Sequence, residues 1–270
     1  MTHRNRSSKG FSLLEMVIVL AILMTVMGAV FQQIATVQKV SRTEEMKLDL
    51  TQEGREFVDQ FVRDLHQAGY PNAGLFAPGV LVATADNDSK NAVGLVKFAY
   101  DEVWLEADVN GDGAVDSINY KLQTASGSGQ CPCKISRGWV PKDIGNSTSP
   151  WSQTANTSAA YTVELQDLAN SGGANGGTSG SAAYTIYGTS NGISNDTMYA
   201  AYKNANVFTA YDVAGNEVAP ADYSTSSGKA ALATIKNIRI NLNLLARQGD
   251  PQTGKRPVIT FSSAARVGNN

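Results

Sequence analysis

Cysteine and histidine are almost missing from this chain of 270 residues, with two of each. That scarcity argues against a Cys/His zinc site, a disulfide framework or a histidine-based nucleophilic triad. Charge is also sparse. Asp, Glu, Lys and Arg make up 17% of the residues, where a soluble domain carries roughly 25%. Lys+Arg number 22 against Asp+Glu 24, for a net charge of -2, so no basic excess points to nucleic acid. Neither a Ser/His/Asp arrangement nor a phosphate-binding glycine loop stands in the sequence, and the reading is of a protein that is not an enzyme. What the chain does have is 42% hydrophobic residues and 25 glycines, which excludes disorder throughout.

The hydrophobic residues are unevenly spread. Residues 11–31, FSLLEMVIVLAILMTVMGAVF, hold a single charge, and the run is long enough to span a bilayer as a helix. Ahead of it stand Arg4, Arg6 and Lys9, whereas the next basic residues beyond it are Lys39 and Arg42. Basic residues on the short flank predict a single-pass protein with its N-terminus inside and its C-terminus outside. A secretory signal has a shorter apolar centre followed by a small-residue cleavage site, and the best match here, around Met27-Gly28-Ala29, is poor.

Glu15 is the one charge in that run. A carboxylate near the centre of a membrane segment costs roughly 2.5–3.5 kcal/mol on insertion scales and normally serves an interior partner; one turn from the end it can instead be solvated at the headgroups. Its setting, KGFSLLEMVIVLAIL, places Gly10 before Phe11 and Glu15 four residues later. This string resembles the class III leader junction of type IV pilins and type II secretion pseudopilins. The resemblance implies cleavage between Gly10 and Phe11 by a prepilin peptidase, a membrane aspartyl enzyme, and N-methylation of Phe11. It further implies that Glu15 pairs with the amino terminus of a neighbouring subunit and so sets the axial register. Removal of residues 1–10 takes away three cations and leaves a net charge of about -5, with the apolar helix still attached.

The helical signal continues over residues 32–68, which contain no proline and only Gly54 as a breaker. Leu50, Phe57, Phe61 and Leu65, flanked by Val58 and Val62, form one apolar stripe suited to holding a globular head. Ala68-Gly69-Tyr70-Pro71 predicts the helix end, which makes a rod about 85 Å long from Phe11. Where many major pilins carry a proline in this rod, the chain has Gly28 and Gln32-Gln33. The segment REFVDQFVRDLHQAGYPNAG, residues 55–74, resembles the helix end of PilW-type minor pilins. His66 within it suits the negative end of the helix dipole and is assigned no chemistry.

Residues 69–270 read as an extracytoplasmic β-rich head, so the fold class expected is α+β: a long N-terminal transmembrane helix and a C-terminal antiparallel sheet. Residues 93–100, 103–108 and 117–123 are β-prone. In NIRINLNLL, Ile238, Ile240, Leu242 and Leu244 alternate with Asn237, Arg239, Asn241 and Asn243, the period of a half-buried strand, and 257–261 supply its partner. Residues 124–230 are rich in Ser, Thr, Asn, Gly and Ala and read as a flexible insertion, most of all the run at 171–181.

Two local motifs complete the reading. Cys131 and Cys133, with Pro132 between them, either form a very small disulfide ring in an oxidising compartment or remain free or intermolecular thiols. Asp108, Asn110, Asp112, Gly113 and Asp116 match the first nine positions of an EF-hand-type calcium loop, D-x-N-x-D-G-x-x-D, with the Ala114 carbonyl as backbone ligand. The twelfth position is Asn119 in place of glutamate, and Asn110-Gly111 and Asp112-Gly113 are also strong hairpin-turn pairs. Calcium is favoured because three carboxylates in nine residues repel one another without a cation.

Taken together, the resemblance implies a minor pilin that sits in the bacterial inner membrane before assembly and in an extracellular filament after it, with prepilin peptidase and other major and minor pilins as partners. Adhesion, twitching motility or DNA uptake would follow from that role. A type II secretion pseudopilin is the alternative within the family, and a calcium-dependent secreted enzyme with a pilin-like signal the alternative outside it.

Overall fold

The computed structural model describes residues 10, 12–81, 88–124, 130–142, 161–170, 185–186, 189–190, 193–194, 199, 201–202, 205–250 and 254–268. One helix, α1 (Leu13–Gln67), runs for 55 residues without a break. Ser12 precedes it in an extended conformation, and Gly69, at φ 76°, turns the chain away at its end, the left-handed position a glycine fills without a Cβ clash. A 3-10 turn at Ala73–Leu75 follows.

The head is an antiparallel sheet of ten strands. Its strands are β1 (Leu95–Phe98), β2 (Glu102–Ala107), β3 (Asp116–Thr124), β5 (Cys133–Pro141), β6 (Tyr161–Leu168), β10 (Phe208–Tyr211), β11 (Glu217–Val218), β12 (Ala221–Asp222), β13 (Asn237–Leu245) and β14 (Val258–Arg266). Short ladders join β4 (Gln130–Cys131) to β7 (Thr185–Ile186) and β8 (Thr189–Ser190) to β9 (Ile193–Ser194). A second helix, α2 (Ser226–Thr234), starts at Thr225, whose hydroxyl accepts the Gly228 N–H. The sheet order is β11-β10-β13-β6-β5-β3-β2-β1-β12, and β14 pairs with β13 over its whole length, Asn237 opposite Arg266 and Leu245 opposite Val258.

The fold is thus the expected α+β arrangement of a long apolar helix and a C-terminal antiparallel head, as in pilins. The flexible insertion expected over residues 124–230 is corrected in part. Within it, β5 and β6 lie in the middle of the sheet, where β5 pairs with β3 from Asp116–Pro141 to Thr124–Cys133. Apolar residues reaching the core, Ile135 and Leu165 among them, hold these strands despite the polar composition around them. The run at 171–181 lies outside the described residues.

The C-terminal part of α1 covers the sheet. Leu50, Phe57, Phe61 and Leu65 are buried, and Val58 and Val62 pack at the edge of the core. The Phe61 ring lies 5.3 Å from Phe208 and 5.1 Å, edge-on, from Tyr120; Phe57 also meets Tyr120 edge-on at 5.9 Å. Each such side chain contributes about 1.5–3 kcal/mol by leaving water, and aromatic pairs add about 0.5–1.5 kcal/mol. The core therefore does not stop at the helix end: residues 50–65 belong to it as much as the strands do.

Gly54 explains itself in the same place. A Cβ there would stand 2.8 Å from a Phe261 ring carbon and 3.1 Å from Leu244 Cδ1, so glycine allows β13 and β14 to approach the helix closely. The helix loses about 1 kcal/mol of propensity relative to alanine in exchange for that contact.

Candidate functional site

The N-terminal segment is built for insertion among other apolar surfaces. From Leu13 to Val40 the side chains of α1 are exposed, with Leu13 at 82% and Phe31 at 67%. The helix is long and apolar enough to cross a membrane, and none of its apolar window is buried by the head. Exposed apolar surface on this scale marks a membrane or protein contact. Gly10 lies exposed two residues ahead of Ser12, in peptide that has not yet entered the helix; Phe11 is outside the described residues. Glu15 occupies the first turn, where unpaired backbone N–H groups favour a negative charge by about 0.3–1 kcal/mol.

A second candidate lies at the far end of α1. Gly69 N–H donates to the Glu106 carbonyl at 2.9 Å, and two residues later Asp108 N–H donates to the Tyr70 carbonyl at 2.9 Å. The loop 108–116 therefore begins against the helix exit. At its other end Val115 N–H donates to Ser89 O at 2.7 Å, and Lys142 N–H donates to Val115 O at 2.8 Å. Beneath it, Lys142 and Glu106 form a fully buried ion pair at 2.8 Å, and Lys142 Nζ also donates to Asn91 O at 2.7 Å. A buried pair of this kind is held by its extra hydrogen bonds, because the Coulombic gain alone barely offsets desolvation.

Inside the loop, Asp108 Oδ1 and Oδ2 accept the N–H groups of Gly111 and Gly113 at 2.7 and 3.1 Å. Asn110 Oδ1 accepts Asp112 N–H at 2.9 Å, and Asp112 Oδ1 accepts Ala114 N–H at 2.8 Å. Gly111 and Gly113 adopt φ of 75° and 85°, which supplies the sharp turns. Asp116 differs from the others: it is only 3% exposed, and its Oδ2 has no hydrogen-bond partner. Burial raises the Asp116 carboxyl pKa, Asp112 and Asp108 raise it further, and a hydrogen bond from Trp139 works in the opposite direction. Asn119, the twelfth position, is buried in β3 and donates to Glu102 Oε1 at 2.8 Å, so it faces other work. Among the described residues, no three His, Cys, Asp or Glu side chains are drawn together closely enough to hold a metal ion.

Cys131 and Cys133 are both buried, and the structure joins them in a disulfide with Cα atoms 4.3 Å apart. It sits where β4 gives way to β5, and Cys131 Sγ also lies 3.6 Å from Asn170 O. His66 is exposed in the last turn of α1.

Sequence reasoning missed the polar clamp that fixes the helix on the head. Asp64, 2% exposed, accepts from Tyr120 Oη at 2.7 Å, from Arg137 Nε at 2.8 Å and from Gln60 Nε2 at 2.9 Å. Burial and the Asp64 charge push the Tyr120 hydroxyl pKa far up, so it stays a donor. The signal was present: Asp64 stands within the apolar stripe, next to Leu65 and three residues from Phe61, where a solvated charge has no room. Asn170 was missed as well. Buried near the end of β6, it accepts from Asn243 N–H at 2.6 Å and donates to Asn241 O at 3.0 Å, in effect an extra rung across the sheet.

Among known protein families, residues 5–31 match the prokaryotic N-terminal methylation motif. The match covers the Gly10–Phe11 junction, Glu15 and the whole apolar run, and it is that of a prepilin-type leader on a type IV pilin-like or pseudopilin protein. Such a leader implies processing by a prepilin peptidase and association with pilin subunits. No curated protein and no solved structure matches the chain.

Proposed function

We propose that the chain is a minor pilin of a type IV pilus, of the PilW type, cut after Gly10, methylated on Phe11 and held in the inner membrane with its head outside until it enters the filament. Assembly is its function, through priming or joining subunits, and it performs no reaction of its own. The observation that carries this reading is the continuity of the methylation motif at 5–31 with a helix whose side chains from Leu13 to Val40 are exposed. A secretory signal cut away behind the apolar run would not need to continue unbroken into the element that Phe57, Phe61 and Leu65 bury in the head. Glu15 would pair with the methylated amino terminus of the adjacent subunit, which offsets the cost of a carboxylate among apolar helices and fixes the axial stagger.

Mass spectrometry of the protein from its native host tests this directly. The expected mature terminus is N-methyl-Phe11, with Gly10→Val leaving the precursor uncut. Glu15→Val should still be processed but should be lost from sheared pili at native expression levels. A mature terminus beyond Phe31 would overturn the pilin reading, and recovery of the chain only with a type II secretion complex would make it a pseudopilin.

A further inference from the structure

The loop at residues 108–116 lies against the exit of α1, at the opposite end of the helix from Gly10, yet it leaves a buried carboxylate oxygen without a donor. Turns of this kind normally place their acids in water. Here Asp108, Asn110 and Asp112 lie toward the surface while Asp116, the last acid of the motif, is buried in β3 beside them, its Oδ2 unmatched. A buried acceptor left this way is costly, and adjacent acids make it more so. A cation bound in the loop would satisfy both.

We propose that residues 108–116 form a calcium site, with side-chain oxygens from Asp108, Asn110, Asp112 and Asp116 and the Ala114 carbonyl as ligands. The N–H bonds within the loop leave room for this, because a carboxylate or amide oxygen that accepts one hydrogen retains a second lone pair. The acids are not yet gathered about one point, and the cation supplies the attraction that draws them in. An all-oxygen set with an exposed side for water suits calcium, which tolerates irregular coordination by six to eight oxygens; magnesium demands near-octahedral geometry, and soft metals prefer the His and Cys ligands this loop lacks. With Asn119 committed to Glu102 there is no bidentate twelfth ligand, so the dissociation constant belongs in the range of about 10⁻⁴ to 10⁻³ M found in extracellular modules. Because Asp108 N–H holds the Tyr70 carbonyl and Val115 N–H holds Ser89 O, the bound loop would also firm the exit of the long helix. None of this depends on the pilin reading.

The test uses the full chain in detergent micelles. Calcium at about 10 mM should raise the melting temperature by about 3–8 °C, and magnesium should do so far less. Terbium should give luminescence when tryptophan is excited, since Trp139 stands across the sheet opposite Ile118, two residues from Asp116, and calcium should displace it with a midpoint in the range given above. Amide exchange at Asp108 and Val115 should slow. Asp112→Ala, which takes away the side-chain oxygen of an exposed residue, should remove all three responses, while Asp212→Ala in the unrelated turn near Asn216 should remove none. A wild-type chain indifferent to calcium, or an Asp112→Ala chain that responds as the wild type does, would leave the loop a hairpin turn and overturn the proposal.

Discussion

At Asp101 the head buries a carboxyl in a tight turn. Tyr100 and Asp101 link β1 to β2, with Ala99 and Glu102 exchanging backbone bonds across them and Leu122 N–H donating to the Asp101 carbonyl. The side chain is 4% exposed and Oδ1 has no hydrogen-bond partner. Burial, reinforced by the Glu102 charge and opposed by Lys97 and Lys121, pushes its pKa to about 6 from 3.8. A carboxyl raised in the folded state binds its proton more tightly there than in the unfolded chain. Its contribution to stability is therefore complete below about pH 4 and lost as the pH rises through 6. Asp101→Asn should remove this dependence: relative to wild type, the variant should gain about 2–3 kcal/mol between pH 4 and pH 7 in denaturant titrations of the micellar protein. A difference that does not change with pH would show that the carboxyl is not held neutral. Asp64, buried as well, differs in its partners, since three donors reach its oxygens.

At the scale of elements, α1 packs closely against β13 and β14, and Gly54 permits it. Gly54→Leu should place a side chain where the Phe261 ring now lies and destabilise the protein by about 1–3 kcal/mol, a loss that Phe261→Ala in the same chain should partly restore. Additive losses in thermal melts of the two single variants and the double variant would place the strain elsewhere. The elements that were legible in the sequence are those whose pattern coincides with their burial. NIRINLNLL alternates along its first half as read, with Ile238, Ile240 and Leu242 buried, and the strand at 257–261 is the beginning of β14. Its second half departs from the pattern, since Asn243 is buried and bonded to Asn170 and Thr260, so polar identity did not mean exposure. β5 was missed because CKISRGWVP mixes Lys134, Arg137 and Gly138 with its apolar residues, and only the tertiary partner Asp64 makes Arg137 an inward residue. The methylation motif could be read because its chemistry is written in consecutive residues. Asp116 could be named from spacing, but its burial could not.

For the whole molecule, helix and head form one folding unit. Leu50, Phe57, Phe61 and Leu65 together contribute about 6–12 kcal/mol of burial, comparable to the roughly 5–15 kcal/mol by which a domain is stable at all. A chain beginning at Tyr70 should therefore be soluble only as a loosely packed state that binds hydrophobic dyes, without near-ultraviolet circular dichroism, whereas a chain beginning at Val40 should unfold cooperatively. Cooperative unfolding of the shorter chain would show that the sheet closes its own core.

The return of β14 to the helix has a mechanical meaning. Phe261 meets α1 at Gly54, and Gly268 N–H donates to the Leu65 carbonyl at 3.1 Å, so strand and helix run side by side for about 20 Å. Farther down, Arg247 reaches Glu53 at 3.7 Å and Thr43 reaches Asp250 at 3.4 Å. Tension drawn along the helix axis thus loads this seam in shear, with the contacts sharing the load at once, where a head hung from Gly69 alone would peel away one contact at a time. The long helix serves the head as a splint as well as a stem.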